Sequence, residues 1–132
     1  MSNQIVKDVI NFNATVLGIE QRQLGMMPEA ESTITVACLA EEATEFADAI
    51  EAGDFIGQVD ALIDSIYFAT GALYKLGLNS DQIDACMSAV HDANMTKRKG
   101  VNAKRGDGSA ADAVKPTDWV SPEERIGSIL ES

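Results

Sequence analysis

Two acidic pairs stand at helical spacing in this chain. Glu42 and Glu45 are three apart, Glu41 and Glu45 four apart, and Asp60 and Asp64 four apart. Residues three and four apart share a helix face, so each pair presents its carboxylates together. Like charges so placed cost roughly 0.2–0.5 kcal/mol per pair unless a cation sits among them. Both pairs interrupt apolar runs, Val-Ala-Cys-Leu-Ala before Glu41 and Ala-Leu-Ile between the aspartates. Gly53 marks a turn between them. Glu42 and Glu45 lie 11 and 8 residues before it, Asp60 and Asp64 7 and 11 after it. In an antiparallel hairpin rising about 1.5 Å per residue, equal distance from the turn means equal height. Four carboxylates facing each other between helices repel strongly without a counter-ion. A hard divalent cation answers that, and Mg²⁺ suits a place where phosphate completes its octahedron, with Mn²⁺ as the other candidate. A solvated face of Glu41, Glu45, Asp48 and Glu51 is the plainer reading of the first pair. Asp60 and Asp64 count against it, because their helix has little solvated face to offer. A di-iron bundle needs Glu-x-x-His pairs, and Ser88 stands three residues before the single histidine, His91.

Opposite charge gathers later. Residues 1–90 hold 14 acids and 3 bases, whereas residues 91–132 hold 7 of each. Lys97, Arg98, Lys99, Lys104 and Arg105 form a strip without an acid. It reads either as a solvated tail or as ammonium groups facing a polyanion that metal holds from its other side. The net charge of −11 argues against nucleic-acid polymers as partners. No apolar run approaches a membrane span and no secretory leader is visible. Cys38 and Cys86 fall in helix-like runs and read as reduced thiols, which places the protein in the cytoplasm.

The elements that must position these groups are helical, in one domain of 132 residues. Ile5, Val9, Phe12, Val16 and Ile19 predict a first helix over 3–19. A second begins near Ser32 and ends at Gly53. Asp54 caps a third that runs to Gly77 and is apolar on more than half its circumference, so it must be buried centrally or against another subunit. Asn79 or Ser80 caps a fourth, which carries His91, Asn94 and Lys97 and frays near Gly100. Residues 98–120 lack periodicity and read as a long loop. Ser-Pro-Glu-Glu at 121–124 starts a short last helix. The expectation is an all-α, four-helix-type bundle whose antiparallel hairpin carries the acidic site, followed by a loop and a short helix.

Glu42-x-x-Glu45, the Ala-Ile-Glu-Ala-Gly-Asp turn and Asp60-x-x-x-Asp64 resemble the all-α nucleoside triphosphate pyrophosphohydrolases. That superfamily takes in MazG-like proteins, dimeric dUTPases and phosphoribosyl-ATP pyrophosphohydrolases. Its usual second motif is Glu-x-x-Asp, and the third acid's position here is Ala61, with Asp60 beside it. His91-Asp92-Ala93-Asn94-Met95-Thr96-Lys97, with Lys115-Pro116 and Trp119 later, resembles the ending of small bacterial and phage members of the phosphoribosyl-ATP-pyrophosphohydrolase-like group. The resemblance spans roughly residues 30–125. It implies a helical dimer or tetramer that cleaves a nucleoside triphosphate between the α- and β-phosphates, with Mg²⁺ held by Glu42, Glu45 and Asp64, and Asp60 assisting. Glu41, rotated about 100° from Glu42, is the candidate general base. Lys97 would meet phosphate as a point charge. Asn94 would bond sugar or base unless it only caps the helix. His91 and Lys115 would contact substrate, although His91 equally suits helix packing. Trp119 and Pro116 would lock the loop down, with base stacking as the other role, and Lys104 and Arg105 would either close over pyrophosphate or have no part in the site.

Two other functions compete. Ala61 fits a catalytically silent helical dimer that binds nucleotide or a partner protein. Phosphoribosyl-ATP is the other substrate to weigh, against which stand the C-terminal loop and Trp119.

Overall fold

A computed structural model describes residues 3–105 and 112–131. Five helices dominate it: α1 (Gln4–Thr15), α2 (Glu29–Glu51), α3 (Phe55–Lys75), α4 (Ser80–Asn94) and α5 (Glu123–Glu131). The chain divides into two compact units, Met1–Ile83 and Asp84–Ser132.

In the first unit α2 and α3 form the expected hairpin and α1 packs on α3. Gly53 closes the turn with a φ of +66°, a conformation other residues adopt at a cost. Asp54 then caps α3 by accepting from Gly57 N at 2.9 Å. At the far end Gly77 has φ +96°, and a Cβ there would stand 2.4 Å from the Gln23 carbonyl oxygen. The connection between α1 and α2 thus lies directly over that glycine. It is tied by Gln21, which donates to the Gly77 carbonyl at 3.0 Å, and by Tyr74, whose hydroxyl donates to the Ile19 carbonyl at 2.8 Å. Arg22 grips both oxygens of Glu31 at 2.7 and 2.8 Å.

Several boundaries differ from expectation. The first helix stops at Thr15, because Gly18 (φ +69°) turns the chain and the Ile19 amide folds back to the Asn13 carbonyl. α2 starts at Glu29, where Pro28 fixes the entry and Glu29 and Glu31 favour the positive helix end. α4 has the expected cap, with Asn79 and Gln82 bonding each other's backbone amides at 2.9 and 2.8 Å. It ends at Asn94 rather than fraying toward Gly100.

The second unit corrects the long-loop reading of 98–120. Arg98–Gly100 (β1) and Asp112–Val114 (β2) pair antiparallel, Lys99 opposite Ala113, around a 3₁₀ turn at Ala103–Arg105. Three-residue strands are too short to show a period in sequence. Residues 106–111 of that stretch lie outside the described residues. Ser121 accepts from Glu123 N at 3.3 Å at the start of α5.

Candidate metal centre

Long helices hold the acidic cluster. Glu42 and Glu45 project from α2 and Asp64 from α3, and one carboxylate oxygen of each lies within 4.8 Å of the others. Glu42 is 7 % exposed, and its Oε2 is buried with no hydrogen-bond partner among the described residues. Such a group is expensive to bury. The Glu42 carboxyl is accordingly pushed up to about 7, first by burial, then by a hydrogen bond with Glu45, then by the charges of Glu45, Asp64 and Asp60.

This arrangement fits a hard cation. Three carboxylates converge, Glu42 Oε2 has no partner among the described residues, and the mutual repulsion is what a divalent ion would cancel. Glu42, Glu45 and Asp64 would hold it. Without it, burial and the neighbouring carboxylates favour protonation of Glu42, and metal binding would oppose that.

Asp60 stands apart from these three. It is exposed and lines an open depression with Glu45, Asp48 and Asp54, although its charge still reaches Glu42. The inward position is Ala61, 1 % exposed. A shift of one residue turns a side chain about 100° around the helix, which puts Asp60 outside. Glu41 is likewise exposed.

The remaining expected residues belong to the second unit. His91 and Asn94 are exposed on α4. Lys97 does not ride on the helix as expected. Thr96 closes the helix by donating from both its amide and its hydroxyl (2.7 Å) to the Ala93 carbonyl. Trp119 donates to that same carbonyl from Nε1 at 2.8 Å, so the loop is locked onto the end of α4. The Lys97 ammonium lies 5.2 Å from the Trp119 ring centroid and that of Lys115 4.8 Å from it. Both lysines border a cavity of about 430 Å³ with Asn102, Lys104, Arg105 and Val114. Arg105 is engaged there with both oxygens of Asp112, at 2.8 and 2.9 Å. The Ala113 amide, then Arg105, hold the Asp112 carboxyl below its ordinary range.

Three carboxylates therefore gather in one unit, and Lys97 and Lys115 gather around Trp119 in the other. None of the described helices is long and apolar enough to cross a membrane. A family model described as phosphoribosyl-ATP pyrophosphohydrolase matches residues 18–94, which include the whole acidic hairpin and α4. No curated protein matches the chain.

Proposed function

The chain belongs to the phosphoribosyl-ATP pyrophosphohydrolase family, within the MazG-like all-α superfamily, and on that premise we propose that it hydrolyses a (deoxy)nucleoside triphosphate to the monophosphate and pyrophosphate with Mg²⁺. The observation that carries this reading is the buried, unpartnered Glu42 oxygen beside Glu45 and Asp64. A bound ion there supplies charge neutralisation at the phosphates and a more acidic water. Glu42, Glu45 and Asp64 bind it, and Asp60 adds negative charge from outside. Glu41 is exposed next to the cluster and takes the proton of the attacking water. Lys97 and Lys115 meet phosphate oxygens, while His91 and Asn94 contact the sugar or base. Phosphoryl transfer asks for this kind of positioning and charge compensation more than for covalent help.

The chain works as a homodimer or tetramer in this reading. Phe55, Ile56, Val59, Leu62, Ile63 and Ile66 form one apolar face of α3, each 45 % exposed or more. A second copy would cover it. Free thiols at Cys38 and Cys86 suit the cytoplasm.

Pyrophosphate release from a panel of triphosphates, with phosphoribosyl-ATP among them and with Mg²⁺, Mn²⁺ or chelator, tests the proposal. Metal-dependent release from at least one nucleotide is expected. Binding without release favours the second reading, a silent nucleotide- or partner-binding dimer. Ala61 is the observation behind that reading, since it leaves three clustered acids where the superfamily has four.

A further inference from the structure

The buried face of α1 reads Val6, Val9, Asn13. Asn13 is 3 % exposed. Its Nδ2 donates to the Val9 carbonyl at 2.9 Å, which fixes the orientation of the amide. Its Oδ1 and second Nδ2 hydrogen bond nothing among the described residues. Gly71 on α3 makes room for this amide, since a Cβ there would stand 3.1 Å from Nδ2. Asn13 lines a cavity of about 210 Å³ together with Phe12, Thr35, Cys38, Tyr67 and Gly71. Phe12 and Tyr67 meet edge to face, centroids 5.6 Å apart. The Thr35 hydroxyl is already spent on the Glu31 carbonyl at 2.8 Å.

We propose that this cavity takes the nucleobase of the substrate and that Asn13 reads its hydrogen-bonding edge. The inference rests on the nucleotide reading above. Apolar and aromatic walls, with one convergent amide and the Lys75 side chain among the lining, make a site that encloses a flat ring and orients it. The cavity is smaller than the roughly 300–1,000 Å³ of whole-ligand pockets, so sugar and phosphates stay outside. An acceptor beside a donor matches the donor–acceptor edge that each base presents. Position agrees: Cys38 is one turn before Glu42 on α2, and Phe68, also on the lining, is one turn after Asp64 on α3. Four residues are about 6 Å of helix, the kind of gap a sugar spans between ring and phosphate.

The test takes the nucleotide hydrolysed fastest and its analogue methylated on the base-edge ring nitrogen (N3 of a pyrimidine, N1 of a purine). For the wild type kcat/KM should fall about tenfold or more with the methylated base. Asn13→Ala should lower kcat/KM for the parent and shrink the methyl penalty to within about threefold. An Asn13→Ala protein that is folded by circular dichroism and discriminates as the wild type does overturns the proposal. Should that variant not fold, ¹⁵N spectra of the wild type decide. Nucleoside monophosphates should shift the Thr35 and Gly71 amides and ribose 5-phosphate should not. No shift from any monophosphate overturns the base pocket. Hydrolysis of no nucleotide at all, with those amides still shifting, instead sinks the catalytic reading and leaves the pocket standing.

Discussion

The carboxylate cluster and the cationic cavity are built on opposite principles. Glu42, Glu45 and Asp64 ride on helices of 23 and 21 residues, and the cluster is strained electrically: one Glu42 oxygen is buried with no partner among the described residues, and its carboxyl is pushed up to about 7. Lys97, Lys104 and Lys115 sit on turns and around three-residue strands, tied by the short β1–β2 ladder, the indole bond and the Arg105–Asp112 pair among other local contacts. A rigid frame can hold like charges together in wait for a cation, at a cost in stability. Cations on short elements are better placed to follow a flexible anion.

The largest effects should come from the rigid side. Glu45→Gln and Asp64→Asn each remove a charge that a hard cation needs, so Mg²⁺-dependent pyrophosphate release should fall by at least about 100-fold in each. Helicity should be unchanged. Melting temperature without metal should rise, because like-charge repulsion falls. Wild-type turnover in either variant would dissolve the contrast, since the cluster would then be a strained surface and no more.

On the cationic side the loss should be smaller and local. Lys97→Ala should lower kcat/KM about ten- to hundred-fold, the worth of a charge-assisted contact, with metal affinity unaltered. Arg98 is exposed on β1 and serves as the control. Equal damage from Arg98→Ala would mean that the strip acts as a diffuse field rather than through placed groups.

The rigid region was also the more legible one. Gly53, Asp54 and the spacing of the acids were enough to predict the hairpin and the meeting of Glu42, Glu45 and Asp64, because turn chemistry and helix period are local properties. Asp60 shows the limit: its spacing from Asp64 fits a shared face, but its height and rotation at the α2 contact depend on packing that leaves Ala61 inside. Gly18 was a readable stop for α1, overridden by Val16 and Ile19 continuing the apolar pattern. Asn13 left a signal too, a polar residue on the stripe of Val6 and Val9, but its cavity exists only once three helices assemble. Beyond Asn94 the start of α5 and the locking role of Trp119 were readable, but the end of α4 and the two short strands were not, because three-residue strands show no period and the helix end is fixed by a residue distant in sequence.

Glu42 gives a pH signature that separates the regions further. Its folded pKa lies above the ordinary 4.5, up to about 7. Between those values the folded protein binds more protons than the unfolded one, so metal-free stability should decline as pH rises through about 4.5 to 7 and level off above. Mg²⁺ should reverse the trend, since it binds the deprotonated cluster and its affinity grows over the same window. Melting curves across pH 4.5–8, with Mg²⁺ and with chelator, read both slopes. Two parallel slopes would mean that the ion does not bind at Glu42.

The smallest effect expected is that of Trp119→Phe, and it tests how the cationic side is held. The substitution keeps an aromatic ring beside Lys97 and Lys115 and deletes only the indole N–H. The Ala93 carbonyl is not left bare, because the Thr96 hydroxyl still donates to it at 2.7 Å. The cost should therefore sit at the low end of a hydrogen bond, about 0.5 kcal/mol, read as a small shift in urea midpoint. Trp119→Ala also removes the ring beneath both ammonium groups, so it should cost more and lower kcat/KM toward the Lys97→Ala value. If Trp119→Phe alone reproduces the Trp119→Ala loss, the single bond to the end of α4 positions the lysines. The cationic cavity would then be a placed site like the carboxylate cluster, fixed by one long-range tie in place of two long helices.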